Sequence, residues 1–241
     1  MAVELIALSD TNVLIRFEDR QPSKIREIKP SGLKGKLIGI DFRPANGLLY
    51  GLSNQNILYT IDPDSGVATE VTTLTVPFSG NEQTGFDFNP SADRLRIVSG
   101  NGQDLRVNVN IGATAVDGTL AYAKGDRNAG KRPGVTATAY TNSISQAEST
   151  KMYNIDAALD VLVLQDPPND GVLKTVGALG VDFAPEAGFD IFTDREKKDR
   201  AFAVTGSTLY TIDLATGAAA KAGTVGNGRI KLIGLAAVLT R

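Results

Sequence analysis

Three aspartates at matching places in a repeated motif are the strongest candidates for chemistry in this sequence. Asp41, Asp87 and Asp190 each stand third in a segment that begins with Gly and an apolar residue. Carboxylates brought together from separate repeats could hold Ca²⁺, which takes six to eight oxygen ligands at about 2.3–2.6 Å. They could also be the acid and base of a glycosidase, whose carboxyl groups lie about 5–9.5 Å apart. The alternative is that each buried aspartate accepts hydrogen bonds from the neighbouring repeat and aligns the two repeats.

Three arginines on two neighbouring predicted strands form a second candidate site. Arg94 and Arg96 alternate onto one face of their strand, and Arg106 lies on the next strand. Guanidinium groups bind carboxylates and phosphates through paired hydrogen bonds, so an anionic ligand would suit this group. The alternative is an internal ion-pair network, because acids such as Asp93 and Asp104 lie close by in the sequence.

The composition excludes several kinds of active site and partner. The 241 residues include no His and no Cys, which removes Ser-His-Asp triads, imidazole zinc sites, disulfides and thiolate chemistry. The net charge of −2 provides no electrostatic footprint for nucleic acid or an anionic membrane surface. No apolar run approaches the length of a membrane span. We therefore expect a monomer whose ligand is a small molecule, a saccharide or a protein, without nucleic-acid binding or membrane insertion.

The first eight residues bear on the compartment. Met1–Leu8 lacks a basic region followed by the apolar core of a signal peptide. The sequence as written predicts a cytoplasmic protein, or an extracytoplasmic one if a signal peptide has been removed.

The glycines that begin the aspartate motifs recur about 50 residues apart, a spacing typical of propellers and other repeat arrays. The recurring glycines are Gly39, Gly85, Gly134, Gly188 and Gly234. On this spacing Thr136 and Ala236 take the aspartate's place in the two remaining repeats. The pattern predicts five equivalent first strands, and therefore five repeats.

Short β-type runs separated by turn sequences fill each repeat. Three runs come first, four sets of four follow, and a single run ends the chain. Pairing of Leu232–Val238 with Glu4–Leu8 would complete the first set and leave no unprotected sheet edge between the termini. A β-sandwich gives no reason for the repeat of Leu-Tyr-Thr-Ile-Asp at 58–62 and 209–213, and six blades would need shorter spacings.

The sequence thus predicts an all-β fold, a five-bladed β-propeller with four-stranded antiparallel blades, closed by its C-terminal strand. One domain is expected over residues 1–241. The third blade is predicted to end with a strand at Thr119–Ala123. The expected blades cover approximately residues 232–239 plus 3–29, 37–74, 85–123, 134–178 and 188–226.

Several motifs together resemble a known family. They are Gly-Ile-Asp-Phe-Arg-Pro-Ala-Asn-Gly-Leu-Leu-Tyr (39–50), Gly-Phe-Asp-Phe-Asn-Pro-Ser-Ala-Asp-Arg-Leu-Arg (85–96), Ala-Tyr-Thr-Asn (139–142), Gln-Asp-Pro-Pro-Asn-Asp-Gly (165–171), Val-Gly-Ala-Leu-Gly-Val-Asp (176–182) and Gly-Phe-Asp-Ile (188–191). This set resembles an uncharacterised bacterial group, common in cyanobacteria, called domain of unknown function 4394. The resemblance covers essentially the whole chain and implies propeller-like repeats. Members of the group often carry a secretion signal, and no activity is established for it, so the resemblance implies no functional residues.

The function expected from these features is that of a non-enzymatic binding or interaction module. Its loops would present a binding surface to a saccharide, a protein or a small ligand. The rival hypotheses are a glycoside hydrolase or lyase acting through Asp41, Asp87 and Asp190, and a purely structural repeat domain. A solvated pair of carboxyl groups about 5–9.5 Å apart would favour the enzyme, whereas aspartates bonded to backbone donors of the next blade would favour alignment.

Overall fold

A computed structural model of the chain describes residues 2–238. Within that range the chain forms 21 β-strands and one turn of 3₁₀ helix at Pro168–Asp170. None of the described residues belongs to a helix long and apolar enough to cross a membrane. The strands form five separate sheets arranged as the blades of a ring, so the predicted five-bladed propeller is confirmed.

The blades take their strands in chain order, except that the first blade also takes the last strand. Blade one contains β1 (Glu4–Ser9), β2 (Leu14–Glu18), β3 (Arg26–Ile28) and β21 (Leu232–Ala237). Blade two contains β4 (Leu37–Phe42), β5 (Leu49–Ser53), β6 (Ile57–Ile61) and β7 (Ala68–Thr73). Blade three contains β8 (Thr84–Asn89), β9 (Arg94–Ser99), β10 (Asp104–Asn108) and β11 (Ala113–Val116).

Blades four and five complete the ring. Blade four contains β13 (Val135–Tyr140), β14 (Met152–Asp156), β15 (Val161–Gln165) and β16 (Val172–Ala178), with the short strand β12 (Ala121–Tyr122) on its outer edge. Blade five contains β17 (Ala187–Thr193), β18 (Asp199–Thr205), β19 (Thr208–Ile212) and β20 (Ala219–Thr224).

The two ends of the chain close the ring, as the sequence predicts. Strand β21 pairs antiparallel with β1, with Leu5 opposite Ala237. The backbone N–H of Val238 donates to the carbonyl of Glu4 at 2.9 Å. Residue 239, which the prediction assigns to this strand, lies outside the described residues. All six residues of β21 are buried, so the closing strand is part of the core.

The innermost strands leave almost no open channel along the ring axis. At the level of Gly39 the first strands enclose a cavity of only about 10 Å³, lined among others by Ile40, Phe86 and Thr138. Phe86 lies so close to blade two that a Cβ on Gly39 would be 2.7 Å from the Phe86 Cβ. Glycine is therefore required at position 39, and the ring is filled by side chains at this level.

The predicted outer strand of blade three is wrong. Ala113–Val116 forms that strand instead, while Ala121 and Tyr122 pair in parallel with β16 of blade four. Tyr122 is 8 % exposed and packs in the core cluster that contains Val163 of blade four. Burial of this aromatic side chain explains why the segment joins the next blade, since a large apolar surface gains most where a core is available. The added strand also covers the outer edge of blade four.

Candidate functional site

The structure brings the three predicted aspartates together at the ring axis. Asp41, Asp87 and Asp190 lie on the first strands of blades two, three and five. Each is 4 or 5 % exposed, and one carboxylate oxygen from each lies within 4.8 Å of the others. We call these three residues the aspartate cluster.

Each aspartate of the cluster accepts a hydrogen bond from a backbone N–H of the next blade. The N–H of Phe88 donates to Asp41 at 2.9 Å. The N–H of Tyr140 donates to Asp87, and that of Ala237 donates to Asp190 at 2.5 Å. Asp41 and Asp190 also each accept a hydrogen bond at 2.6 Å from the N–H of the following residue. These bonds join blade two to three, three to four, and five to one, which is the geometry expected of residues that align the ring.

The place of Thr136 differs from the prediction. Strand β13 has a bulge between Val135 and Ala137, which shifts the register of the strand. Ala139, three residues after Thr136, stands where blades two, three and five carry aspartate, because it precedes the donor Tyr140 as Asp87 precedes the donor Phe88. Ala236 does take that place in blade one, because it precedes the donor Ala237. The axis therefore carries three acids and two alanines.

Burial dominates the electrostatics of the cluster. Desolvation, with repulsion between the carboxylates, raises the pKa of Asp41 and of Asp87 well above the usual value. Burial also raises the pKa of Asp190, to about 6, while hydrogen bonds from backbone N–H groups and from Asp87 oppose the rise. The hydrogen bond between the two side chains raises the pKa of Asp87 and lowers that of Asp190, so Asp87 is the member of the pair that keeps its proton to higher pH.

This arrangement suits a shared proton and blade alignment. A Ca²⁺ ion needs six to eight oxygens, and several carboxylate lone pairs of the cluster already accept backbone N–H groups. A glycosidase needs carboxyl groups that reach solvent and substrate, and these are buried. The calcium and glycosidase hypotheses stay predictions, whereas the geometry favours the structural role.

The shared proton predicts how stability depends on pH. A carboxyl group whose pKa is raised on folding contributes stability that is present below its unfolded pKa of about 4 and is lost as the pH rises through the folded pKa. We therefore expect the melting temperature of the wild-type protein to fall between pH 5 and pH 8. Asp87→Asn imitates the protonated acid and keeps a donor toward Asp190, so its melting temperature should fall less. Scanning calorimetry across this range makes the measurement.

A turn aspartate provides the control for this prediction. In Asp213, hydrogen bonds from the backbone N–H groups of the turn lower the pKa, so the group does not titrate between pH 5 and 8. Asp213→Asn should keep the wild-type slope. An equal slope in Asp87→Asn would show that Asp87 does not hold the proton. Repeating the wild-type scan with millimolar Ca²⁺ and then with EDTA tests the calcium hypothesis, for which a rise in melting temperature with Ca²⁺ is the supporting result.

The three predicted arginines do not converge on one open site. Arg96 is 1 % exposed, and its Nη1 lies 2.5 Å from both Asp104 Oδ1 and Asp117 Oδ2. Arg106 pairs opposite Arg96 in the sheet, and its Nε donates to the same Asp117 carboxylate at 2.6 Å. The Nη1 of Arg94 donates to the main-chain carbonyl of Asp93 at 2.9 Å. Arg96 and Arg106 therefore belong to an ion-pair network, and anion binding by the three arginines stays a prediction.

Sequence reasoning missed the residues that extend this network into blade four. Tyr140 accepts a hydrogen bond from Arg96 Nε at 3.2 Å through its hydroxyl. The amide of Gln165 donates to Asp104 Oδ2 at 2.6 Å, and Asn154 donates in turn to Gln165 at 2.9 Å. The available signal was the Gln-Asp-Pro-Pro-Asn-Asp-Gly motif, which begins with Gln165.

A polar cleft of about 470 Å³ lies at the end of the ring where the first strands begin. We call it the mouth cleft. Its floor includes Leu37 and Ile38 of β4, and its walls come from loops of blades two, three and five. The polar residues of the mouth cleft are Lys36, Asn54, Ser79, Asn81, Glu82, Gln83, Ser99, Asn101 and Glu186.

The chain is similar to several solved structures, one of them with a TM-score above 0.5. The chain is similar to a protein of unknown function from Bacteroides thetaiotaomicron, with 18 % identity, a TM-score of 0.56, and coverage of 95 % of this chain and 60 % of that one. It is also similar to a protein of unknown function from Bacteroides caccae, with 11 % identity, a TM-score of 0.46, and coverage of 96 % and 77 %. An auxiliary nutrient binding protein from Bacteroides thetaiotaomicron matches at 16 % identity, a TM-score of 0.47, and coverage of 82 % and 55 %.

The family assignment rests on the sequence itself. No curated protein matches the chain. The family model described as "Domain of unknown function (DUF4394)" matches residues 13–236, and the chain belongs to this family.

Proposed function

We propose that the protein is a non-enzymatic binding module that takes a small, hydroxyl-rich ligand such as a saccharide in the mouth cleft. The cleft has the size of a small-molecule site, and its walls consist mainly of amide, hydroxyl and charged side chains. Such groups both donate and accept hydrogen bonds, which matches the alternating donors and acceptors of a polyol.

The order of residues along β4 is the observation that supports binding without catalysis, because it separates the mouth cleft from the aspartate cluster. Leu37 and Ile38 line the mouth cleft, Gly39 and Ile40 line the closed level of the axis, and Asp41 follows them. A strand rises about 3.3 Å per residue, so the aspartate cluster lies roughly 10 Å below the floor residues. A ligand in the cleft is thereby separated from the cluster by packed side chains, which supports binding without carboxylate catalysis.

Two asparagines give the cleft a fixed frame. Asn54 Oδ1 accepts the backbone N–H of Lys36 at 3.1 Å. Asn101 accepts the N–H of Gln103 at 2.9 Å and donates to the Ser79 hydroxyl at 3.1 Å. These side chains hold neighbouring loops in place, and preorganised polar groups lose less entropy on binding. Glu82 lines the same cleft and is the side chain we expect to contact the ligand.

A screen of neutral mono- and disaccharides by saturation-transfer NMR, followed by titration, tests the proposal. We expect at least one sugar to bind the wild-type protein and Glu82→Ala to weaken that binding about ten-fold, the effect of losing one charge-assisted hydrogen bond. Glu148→Ala, in the β13–β14 loop at the opposite end of the ring, should bind like the wild type. A screen without binders, as a purely structural repeat domain predicts, would contradict the proposal, and so would equal affinities for wild type and Glu82→Ala.

A further inference from the structure

The end of the ring opposite the mouth cleft carries a larger groove, of about 650 Å³, between blades one and two. We call it the inter-blade groove. Ile6 of blade one and Ile61 of blade two form part of its apolar floor. Thr60 and Thr69, which pair across β6 and β7, add hydroxyl groups to one wall.

Two apolar side chains stand exposed at this groove. Leu48 is 49 % exposed and Val67 is 53 % exposed, whereas most large apolar side chains of the described chain are buried. Both are held by tight turns. The carbonyl of Leu48 accepts the N–H of Arg43 at 3.0 Å, and the carbonyl of Val67 accepts the N–H of Asp62 at 2.9 Å. Their exposure is therefore fixed by the turns of blade two, and because both side chains line the same groove they add apolar area to a single surface.

Acidic groups outnumber basic ones in the same groove. Its lining includes Glu4, Asp62 and Asp64, with Arg16 as the basic residue. Arg16 is already engaged, because it donates to both carboxylate oxygens of Glu4 and to Asp64 at 2.5 Å. Within residues 2–238, the hydrogen bonds that the Asp62 carboxylate accepts from its turn end on Oδ1, so Oδ2 is available to a partner. The groove thus combines an apolar surface with surplus negative charge.

We propose that the inter-blade groove docks an extended polypeptide segment of a partner protein, one that carries apolar side chains next to a lysine or arginine. The apolar side chains of the segment would pack on Leu48 and Val67, and its basic group would meet Asp62. Threonine hydroxyls on the groove wall offer hydrogen bonds to an extended backbone, as in other modes of peptide recognition. This surface is separate from the mouth cleft, and a peptide partner is a different class of ligand from the saccharide proposed there.

The test is selection of phage-displayed random dodecapeptides on the wild-type protein, followed by fluorescence-polarisation titration of the enriched peptides. We expect enriched sequences to combine apolar residues with Lys or Arg. Leu48→Asp with Val67→Asp should weaken binding at least ten-fold, and Asp62→Asn should weaken it and reduce its dependence on salt. The matched control is Ile111→Asp with Val116→Asp, at two side chains that are 66 % and 65 % exposed on blade three. The control should bind within two-fold of the wild type.

Three results would overturn the proposal. One is a selection that enriches no peptide, or only peptides without a basic residue. Another is equal loss of binding in the Leu48/Val67 and Ile111/Val116 variants, since that would locate binding elsewhere. The third is concentration-dependent self-association of the wild type that Leu48→Asp abolishes, measured by sedimentation velocity, because the groove would then be covered by a second copy of the chain. Circular dichroism confirms that each variant is folded before it is titrated.

Discussion

Ending the chain at Ile230 is expected to abolish the cooperative thermal transition of the protein. The truncation removes β21, whose Leu232, Ile233 and Leu235 are at most 3 % exposed. Burial of one such side chain stabilises a fold by about 1.5–3 kcal/mol, so three approach the whole stability of a typical domain, about 5–15 kcal/mol. The loss also leaves the inner edge of β1, which still pairs with β2 on its other side, without a partner strand, and it removes the N–H that blade one donates to Asp190.

A permuted chain separates the loss of the strand from damage to the rest of the protein. Residues 231–238 can be moved to the front and joined to Val3 through an Asn-Gly turn, because β21 and β1 are antiparallel neighbours. This chain, still ending at Ile230, should recover a cooperative transition near that of the wild type. Calorimetry and near-ultraviolet circular dichroism measure both chains. A truncated protein that unfolds at the wild-type temperature would contradict the closing role of β21.

The architecture could be predicted because the sequence shows both the spacing of the repeats and the number of strands in each repeat. The Gly-x-Asp motifs give the period, and the unequal strand groups at the two ends show how the ring closes. The turns that follow the repeated Leu-Tyr-Thr-Ile-Asp segments are consistent with this repeat. Asp62 accepts the N–H of Asp64 at 3.1 Å, and Asp213 accepts the N–H of Ala215 at 2.8 Å, so both Leu-Tyr-Thr-Ile-Asp segments end in the same turn. Patterns of this kind depend on neighbours in sequence, which a single chain displays directly.

Two predictions from the sequence were wrong, the residue at the aspartate position of blade four and the outer strand of blade three. In both, a contact between residues far apart in the sequence decides the structure. In β13 the aspartate position is taken by Ala139, three residues later than the Gly134 motif predicts, and the spacing of the glycine motifs does not reveal this offset. The better signal was the aromatic residue after the aspartate position, Tyr140, which matches Phe42 and Phe88. The chain from Ala121 likewise joins blade four because Tyr122 finds its core there.

The partners of Arg96 show the same limit for the candidate site. Asp104 is eight residues away and on the adjacent strand, so the ion pair could be predicted. Asn169, which accepts a hydrogen bond from Arg96, and Gln165, which donates one to Asp104, come from the next blade, and only the folded ring brings them near. The hydrogen-bond and ion-pair network around Arg96 therefore includes residues of blades three and four. Its contribution to the free energy of unfolding can be measured.

Arg96→Met is expected to destabilise the protein by about 3–5 kcal/mol at neutral pH, the usual result of leaving one charge of a buried pair without its partner. The carboxylate left without a cation is that of Asp104, which is 1 % exposed, because Asp117, the other acid bonded to Arg96, keeps its ion pair with Arg106. Burial already raises the pKa of Asp104 to about 6 even though Arg96 opposes the rise. Without the guanidinium the pKa of Asp104 must rise further, so the carboxyl becomes neutral more readily on acidification. The deficit of the variant should therefore be smaller at pH 5 than at pH 8, measured by urea unfolding at both values.

Two companion variants make this result specific. Arg94→Met changes the same residue type two positions earlier on the same strand face, where the side chain is partly exposed and bonded to main-chain carbonyls, so it should cost under about 1 kcal/mol. Arg96→Met with Asp104→Leu removes both buried charges and should recover much of the lost stability, since an apolar pair can replace a buried ion pair. Equal losses in Arg94→Met and Arg96→Met, or no recovery in the double variant, would show that packing rather than charge pairing makes Arg96 important at the junction of blades three and four.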